Sequence, residues 1–408
     1  MASVWIGNPF DNLPEEGARA QRYASLAAEL AGRGHDVVWW TASFSHSRKD
    51  VRRAVDGTPL PAAYDRPDGS RLRLVPTPPY RSNVGLARIR SHRAFAANWR
   101  AAAEAAVASG ELVPPSTVIV SSPPLSAFAA AAAFRSRWGA RVVLDLMDAW
   151  PDAFAGLVPR PPFLGRLAVA LFLRPLRRSA DCALRGADAL SAVSESYVSY
   201  ARRRGAAAPA AAFRHTCDAL RPPTTGDRGT APLKLVYVGN MGRLYDLSTL
   251  LNALSRLNAD CVRATLDLAG SGPDEPRLRR LAAGNDAVRF HGFLGEDDFH
   301  ALLARGDAGV VPLRSASCVA VPYKLTDYAS HGLAVINCLE GECGALVSRF
   351  GAGLNYRAGD SAGLAAAIAS LAEDPTRLAA CRAASLRMAD ECFLASRIYP
   401  AFADFVVR

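Results

Sequence analysis

The sequence predicts an α/β protein made of two Rossmann-like domains, and three observations support this prediction. The chain has 408 residues, more than one compact core usually holds. Short apolar runs alternate with segments of helical periodicity, which is typical of parallel sheets covered by helices. Residues 207–232, rich in Ala, Pro, Thr and Gly, separate two such halves. We expect an N-terminal domain over residues 1–220, a linker over 221–231, a C-terminal domain over 232–390 and a final helix over 391–408.

The start of the chain predicts a strand–helix–strand unit of a parallel sheet. Residues 4–6 are apolar and begin the first strand, and residues 35–40, HDVVWW, form the second. Between them Tyr23, Leu26 and Leu30 recur at helical spacing. The first domain therefore begins as an open α/β sheet.

Two later apolar runs, residues 118–120 and 142–145, predict further buried strands. Ligands of open α/β sheets collect at the carboxyl ends of the strands. We therefore expect the loops that begin at Ser121 and Asp148 to contribute to a binding site.

The second half repeats this alternation after the linker. Leu247, Leu250 and Leu254 form the apolar stripe of a helix. The predicted strands are residues 235–238, 264–269, 288–290, 308–311 and 334–337.

Composition and charge narrow the functional classes. The net charge of +10 suits nucleic acid, anionic lipid or a phosphorylated substrate. The arginines are spread through predicted helices without an aromatic and basic platform, so no nucleic-acid partner is expected.

The eight cysteines form no C-x-x-C motif and no His pairing at zinc spacing, which predicts reduced thiols and no metal site. The chain starts with a strand rather than a signal peptide, and no run of about 18 apolar residues could span a bilayer. We expect a cytoplasmic protein with peripheral membrane contact at most.

Residues 321–332, VPYKLTDYASHG, carry the strongest functional signal. Pro322 precedes a predicted helix, whose start offers backbone N–H groups and a partial positive charge to phosphate. Lys324 adds a full positive charge, and Asp327 can accept hydrogen bonds from ribose hydroxyls. An ordinary surface helix with Pro at its start and Gly at its end is the alternative. In its context the stretch favours a site for a nucleotide diphosphate.

Three turns that follow predicted strands of the second half, at residues 239–243, 270–273 and 290–293, extend this candidate site. Residues 239–243, GNMGR, place glycines where a backbone can approach a ligand. Residues 270–273, GSGP, lack the third glycine of a dinucleotide fingerprint, so NAD binding is not expected. Plain tight turns explain each pattern equally by spacing alone. The candidate residues are Gly239, Asn240, Arg243, Gly270, Gly272 and Phe293.

Together these motifs resemble the donor site of family 4 glycosyltransferases, which are retaining enzymes with the GT-B fold. The resemblance implies two Rossmann-like domains that face a central cleft and a C-terminal helix that returns to the first domain. It also implies a nucleotide-sugar donor on the second domain, bound in part by Pro322, Lys324 and Asp327, and catalysis without a metal or other cofactor. The family usually carries Glu where Asp327 stands and another Glu at the position of Val319. The chain thus resembles the Pro-x-Lys variant, and the role of that first Glu is not carried over.

Residues 14–19, PEEGAR, resemble the family's glycine-bearing loop beneath the sugar diphosphate. The resemblance implies that Gly17 lies at the donor and that Arg19 binds a phosphate of the acceptor or donor. A solvated arginine at a helix start is the alternative interpretation of Arg19.

Residues 148–152, DAWPD, follow a predicted strand and form a candidate sugar site. A carboxylate can bind sugar hydroxyls, and an indole can stack on the apolar face of a sugar. The alternative is a Trp packed before a Pro turn, with Asp148 as its cap. With residues 41–46 and 121–124, this stretch resembles bacterial enzymes that build O-antigen, capsule and exopolysaccharide units on a lipid carrier. Under that resemblance Asp148 and Trp150 bind the acceptor, and Asp148 orients its hydroxyl.

Residues 160–178 predict a basic amphipathic helix. Such a helix can lie on a membrane surface through apolar insertion and anionic headgroups. A core-facing helix with solvated arginines is the alternative.

These features predict a hexose-type glycosyltransferase, peripheral on the inner face of the cell membrane, with Lys324 and Asp148 as its catalytic residues. The donor would be a nucleotide-diphosphate sugar, UDP being expected from its frequency alone, and the acceptor a polyprenyl-diphosphate-linked saccharide. Two alternatives stay open. One is a GT-B nucleotide-sugar epimerase or hydrolase, and the other is a catalytically silent, membrane-associated partner subunit.

Overall fold

The computed structural model describes residues 1–82, 85–155, 165–223, 232–259, 263–314 and 318–408. The chain divides into two compact units. Unit 1 comprises Met1–Phe213 and Ile398–Arg408, and unit 2 comprises Arg214–Arg397.

The segment after Phe213 belongs to unit 2 because its backbone is bonded there. The Cys217 N–H donates to the Phe393 carbonyl at 2.8 Å, and the Arg221 N–H donates to the Ser330 carbonyl at 2.7 Å. Of the expected linker, residues 224–231 lie outside the described residues.

Unit 1 is built on a mostly parallel sheet. Its strands are β1 (Ser3–Gly7), β2 (Asp36–Ala42), β3 (Phe44–Ser45), β4 (Asp50–Val51), β5 (Ala63–Asp65), β6 (Arg71–Val75), β7 (Thr117–Ser122), β8 (Arg141–Leu146), β9 (Ala189–Ala192) and β10 (Ala210–Ala212). Its helices are α1 (Arg22–Gly32), α2 (Leu86–Ala108), α3 (Leu125–Trp138), α4 (Asp152–Ala155), α5 (Gly165–Gly186) and α6 (Glu195–Arg203), with a 3₁₀ helix at Pro14–Glu16.

Over the described residues the main sheet of unit 1 has the order β10-β9-β8-β7-β1-β2-β6-β5. Its neighbours pair in parallel except β5 with β6. The central strands are buried on both faces, which explains why they are continuous apolar runs rather than alternating ones. Trp5 and Trp40 pack together in this core at 5.5 Å between ring centroids.

Unit 2 is a second parallel α/β sheet. Its strands are β11 (Leu233–Val238), β12 (Ala264–Ala269), β13 (Val288–Gly292), β14 (Ala308–Val311), β15 (Ala334–Asn337) and β16 (Gly353–Asn355). Its helices are α7 (Leu247–Ala259), α8 (Glu275–Leu281), α9 (Glu296–Ala304), α10 (Tyr323–Ser330), α11 (Glu342–Phe350), α12 (Ser361–Glu373) and α13 (Pro375–Cys392). In the described part of the chain its strand order is β13-β12-β11-β14-β15-β16, all parallel.

The last helix, α14 (Ala395–Val407), carries the C terminus into unit 1. Phe402 stacks on Phe213 at 4.5 Å between ring centroids. At the helix end, the Arg141 guanidinium donates to the Val406 carbonyl at 2.8 Å, where a cation meets the negative end of the helix dipole. The prediction of two α/β units with a returning helix is confirmed. Within the described ranges, no helix is both long and apolar enough to cross a bilayer.

Candidate functional site

Helix α10 begins and ends where Pro322 and Gly332 predict. Pro322 is the N-cap in an extended conformation, and its carbonyl accepts the Leu325 N–H at 3.0 Å. Gly332 has a φ of +61°, a left-handed conformation that favours glycine. At Gly332 the chain turns from the end of α10 into the start of β15. The other end of the helix, its first turn, therefore lies at the carboxyl edge of the sheet.

Tyr328 fixes the rotation of α10 against the sheet. Its buried hydroxyl accepts the Val238 N–H of β11 at 3.2 Å and donates to the Val310 carbonyl of β14 at 3.3 Å. Gly309 leaves room for the ring, because a Cβ there would lie 2.3 Å from it. Lys324 lies four residues earlier, on the same face of the helix, and is thereby aimed at the end of β11.

The Lys324 side chain is 7% exposed and lies between two tyrosine rings. Its Nζ is 4.7 Å from the ring centroid of Tyr237 and 4.3 Å from that of Tyr245. Burial lowers the pKa of Lys324 to about 8, although nearby Asp327 acts to raise it. The tyrosine faces stabilise the ammonium, and an anionic ligand would stabilise it further.

The two glycine turns of unit 2 pack against each other and against Lys324. A Cβ on Gly239 would lie 2.2 Å from the Lys324 Nζ, so glycine is required for the lysine to reach this place. A Cβ on Gly270 would lie 2.1 Å from the Gly239 carbonyl oxygen. The Met241 N–H donates to the Ser271 carbonyl at 2.9 Å and ties the two turns together. Glycine here permits close packing of backbone on backbone.

These elements enclose a pocket of about 400 Å³ within unit 2. Six of the predicted donor residues line it. They are Gly239, Asn240, Gly270, Phe293, Lys324 and Asp327.

Three other predicted donor residues of unit 2 do not line the pocket. Gly272 packs on the Met241 carbonyl oxygen, and a Cβ at this position would lie 2.5 Å from it. Glycine is therefore needed here for the packing of the turn. Pro322 caps α10. Arg243 is exposed, and its carbonyl accepts a hydrogen bond from the Arg314 side chain at 2.9 Å.

Sequence reasoning missed several residues of this site. Tyr237 and Tyr245 form the aromatic surroundings of Lys324, and Phe299 and Tyr323 line the pocket. Tyr237 lies in the apolar run that predicts β11, and that run was interpreted only as a strand. An aromatic residue two positions before a predicted glycine turn is common in cores, so no signal singles it out.

The predicted loop residues of unit 1 lie beside a buried ion pair. Gly17 follows the 3₁₀ helix with a φ of +73°, which explains glycine there as a turn residue. Glu16, its neighbour, is buried and accepts from Arg52 at 2.7 Å. Arg19 is half-buried between this loop and α1. The structure thus adds Glu16 and Arg52 as residues that hold the loop.

Asp148 and Trp150 are half-buried and lie directly after β8 in unit 1. Burial raises the pKa of Asp148 to about 6, while the Ala149 N–H and the Arg88 charge act to lower it. At neutral pH the side chain is therefore mainly a carboxylate, able to accept a hydrogen bond from a hydroxyl. Among the described residues, no group of three or more His, Cys, Asp or Glu side chains could hold a metal ion.

Two protein-family descriptions match consecutive parts of the chain. Residues 17–215 match the glycosyl transferase 4-like domain, and residues 232–374 match the glycosyl transferases group 1. Glycogen synthase of Mycobacterium tuberculosis strain CDC 1551 is 32% identical over 172 residues, which are 40% of this chain. The match spans only 40% of that relative's length.

Solved structures share the architecture at low identity. Sucrose-phosphate synthase from Thermosynechococcus elongatus superposes with a TM-score of 0.71 at 14% identity, covering 99% of this chain and 98% of that one. Anabaena Alr3699/HepE in complex with UDP-glucose superposes with a TM-score of 0.67 at 16% identity, covering 100% of both chains.

The two units therefore have the GT-B fold, and each carries a match to a glycosyltransferase domain description. Taken together, the two matched descriptions cover most of the chain.

Proposed function

We propose that the protein transfers a sugar from a nucleotide-diphosphate donor, UDP being the first nucleotide to test, to a saccharide carried on polyprenyl diphosphate. The reaction would serve bacterial surface polysaccharide synthesis, proceed with retention and need no metal. The donor half of the proposal is carried by one observation. Lys324 is buried at a helix start, beside two glycine turns, in a pocket of about 400 Å³.

The chemistry of this pocket fits a nucleotide diphosphate. The diphosphate would lie against Lys324 and the turns at Gly239 and Gly270, where backbone and cation can both contact it. Asp327, three residues along the same helix, would accept from the ribose hydroxyls. Phe293, 86% exposed at the pocket, would cover the base.

Lys324 would also lower the barrier to transfer. As the glycosidic bond breaks, negative charge grows on the departing diphosphate, and a fixed cation stabilises that state more than the ground state. Burial of Lys324 strengthens this effect, because charges interact more strongly where water is excluded. A retaining transfer does not require a strong base, so Asp148 would orient the acceptor hydroxyl and Trp150 would stack on its sugar.

One surface of unit 1 supports membrane contact. On α5, Leu167 and Leu171 are 61% and 57% exposed, and Arg174 and Arg178 are exposed on the following turns. Residues 160–164 of the predicted amphipathic stretch lie outside the described residues. Exposed leucines followed by arginines suit an anionic membrane surface, where a polyprenyl-linked acceptor would reside.

The decisive experiment measures thermal stabilisation by a panel of nucleotide sugars in the wild type and in Lys324→Met. We expect one nucleotide sugar to raise the melting temperature of the wild type and not of the variant. Lys234→Met is the matched control, because Lys234 is an exposed lysine on β11 of the same unit. Equal stabilisation of the wild type and Lys324→Met would remove Lys324 from the donor site.

A catalytically silent partner subunit is the second candidate, and Val319 favours it. Val319 is an apolar side chain packed against the core where the resembled family carries Glu. Donor binding without transfer to any lipid acceptor would support this candidate. Turnover of the nucleotide sugar without an acceptor would instead identify an epimerase or hydrolase.

A further inference from the structure

We propose that His331 is a positioning residue of the donor pocket and that, through its contact with His300, it adapts the pocket to a nucleoside diphosphate rather than to a bare diphosphate. The inference rests on the proposed function, since it concerns how the donor is held. His331 directly follows α10, which carries Asp327, and His300 lies on α9, which carries Phe299. Asp327 and Phe299 both line the pocket, so the two histidines lie next to two parts of its wall.

The Asp327 carbonyl is held by side chains at the end of α10. Asp327 is among the last four residues of the helix, where carbonyls depend on donors beyond the regular hydrogen-bond ladder. The His331 Nδ1 donates to this carbonyl at 2.7 Å, and the Ser330 hydroxyl donates to it at 3.0 Å. His331 is 1% exposed, and a hydrogen bond is stronger in such surroundings than in water. The backbone position of Asp327, and with it the place of its carboxylate, therefore depends on His331.

The contact between the two histidines extends this support to α9. A carbonyl oxygen only accepts, so the proton of a neutral His331 lies on Nδ1 and its Nε2 is an acceptor. The His300 Nδ1 lies 2.9 Å from that Nε2 and therefore donates to it. The Glu296 carboxylate lies 3.8 Å from the His300 Nε2, too far for a hydrogen bond. One chain of hydrogen bonds thus runs from α9 through both rings to the Asp327 carbonyl.

Ring packing holds Phe299 against the same histidines. The His300 and His331 rings stack at 5.1 Å between centroids, with 18° between their planes. The Phe299 ring lies edge-on to the His331 ring, at 6.5 Å between centroids. The imidazole that supports Asp327 is therefore also packed against Phe299. Through this one ring, two lining residues on different helices are kept at a fixed separation.

Lys324 is held by a different set of contacts. It lies in the first turn of α10, between two tyrosine rings, and Tyr328 fixes the rotation of the helix against β11 and β14. His331 supports the opposite end of α10. Loosening the histidine pair should therefore disturb the part of the pocket proposed to meet the nucleoside and leave the proposed diphosphate contact in place.

The test compares two ligands by calorimetry on the full chain. They are inorganic pyrophosphate and UDP, or the diphosphate of whichever nucleotide sugar stabilises the wild type. His300→Leu removes the donor to His331 at a half-buried position. We expect it to weaken nucleotide binding by about fivefold or more, as the loss of one hydrogen bond would, and to leave pyrophosphate binding unchanged.

Two further variants show whether the hydrogen bond is responsible. His300→Asn, whose amide nitrogen can take the place of the Nδ1, should restore nucleotide affinity to within about twofold of the wild type. Ala301→Leu adds a leucine at the next, exposed position of α9 and should change neither affinity. Full nucleotide affinity in His300→Leu, an equal loss for both ligands, or an equal loss in the Leu and Asn variants would overturn the proposal.

The proton on His331 gives a readout that needs no ligand. In ¹⁵N spectra of the full chain with labelled histidine at pH 8, above the usual titration range of imidazole, we expect a protonated Nδ1 and a bare Nε2. The signals are assigned by their loss in His331→Asn. A proton on Nε2 instead would contradict the arrangement. The melting temperature of His300→Leu shows whether folding is affected; if it falls, the ratio of nucleotide to pyrophosphate affinity, measured below the transition, still decides.

Kinetics separate this proposal from the proposed function. In a transfer assay, His300→Leu should raise the donor KM by about fivefold or more and leave kcat nearly unchanged, since Lys324 keeps its place beside the departing diphosphate. A fall in kcat at constant KM would exclude the positioning role. If the nucleotide binds and depends on His300 while no acceptor is glycosylated, the proposed function fails and this inference stands. If transfer occurs and nucleotide affinity does not depend on His300, this inference fails and the proposed function stands.

Discussion

The carboxyl edges of the two sheets carry positive charge in different ways. In unit 2, one lysine is buried between tyrosine rings beside glycine turns that bring the backbone close to it. In unit 1, the half-buried cations Lys49 and Arg88 lie beside His46 and His92, whose rings pack on Phe10. A single enclosed cation suits a ligand that is held in one position, whereas the cations at the edge of unit 1 are more open to solvent.

The two edges are also held in place differently. In unit 2, the neutral Tyr328 fixes α10 through its hydroxyl. In unit 1, Arg22 and Asp145 form a buried ion pair, at 3% and 0% exposure, which Tyr23 and Ser191 complete with hydrogen bonds to the carboxylate. A further Arg22 nitrogen donates to the Phe213 carbonyl at 2.6 Å, at the end of the first segment of unit 1. At these two places, unit 1 uses a buried ion pair and unit 2 a neutral hydroxyl.

The largest expected effect is the loss of that ion pair. Arg22→Met leaves Asp145 charged and buried, so we expect the free energy of unfolding of unit 1 to fall by about 3–5 kcal/mol. All six tryptophans lie in unit 1, so urea unfolding followed by tryptophan fluorescence reports on this unit alone.

Arg33→Met is the matched control for Arg22→Met. Arg33 forms half-exposed pairs with Glu29 and Asp404, so its loss should cost only about 0–1 kcal/mol. Equal losses in the free energy of unfolding from the two substitutions would mean that the buried pair stabilises unit 1 no more than an exposed pair does.

Much of the fold follows from local pattern, because the central strands are continuous apolar runs. Strands β1, β2, β7 and β8 of unit 1 and β11, β14 and β15 of unit 2 match such runs, whereas β12 and β13, also predicted, have polar residues among the apolar ones. Strands β3 to β6, β9, β10 and β16 were not predicted. Most of them have only two to five residues, and several are half-exposed, so neither length nor periodicity marks them.

The candidate site was predictable where local chain geometry determines it. Helix α10 fixes the positions of Pro322, Lys324 and Gly332 relative to one another. Their arrangement in space can therefore be inferred from their spacing in the sequence. Tyr245 and the cluster of His46, Lys49, Arg88 and His92 were not predictable, because contacts such as those of His46 and Arg88 with Phe10 depend on the order of strands in the sheet. Single-sequence patterns carry no record of such distant contacts.

The pH dependence of donor binding is expected to distinguish Lys324 from an ordinary surface lysine. Its pKa is lowered to about 8 in the free protein by burial, and a bound diphosphate would raise it again. Below pH 8 the lysine is charged in both states and affinity is flat. Above pH 8 binding must take up a proton, so the affinity should fall by up to about tenfold per pH unit. Calorimetry with UDP between pH 6.5 and about 10 measures this slope.

Lys324→Arg separates the lysine from other titrating groups, because its guanidinium stays charged over the whole range. We expect a flat affinity profile for this variant. A decline in UDP affinity with pH in the Lys324→Arg variant as well would assign the titration to another group.

The lowered pKa of Lys324 also affects folding stability. The unfolded chain binds more protons than the folded one between pH 8 and the ordinary lysine value of 10.5, so this group adds stability as pH rises through that window.

The smallest expected effect concerns the rim of the donor pocket. Phe293 is 86% exposed, so Phe293→Ala should leave the stability of unit 2 unchanged. If the ring covers the base, its loss should weaken UDP binding by about 0.5–1.5 kcal/mol, roughly twofold to twelvefold, and leave pyrophosphate binding unchanged. Leu281→Ala, at another exposed apolar side chain of unit 2, is the control and should change neither affinity. A loss of affinity for both ligands in Phe293→Ala would show that Phe293 supports the turn rather than the base, and the comparison of the two edges would then rest on Lys324 alone.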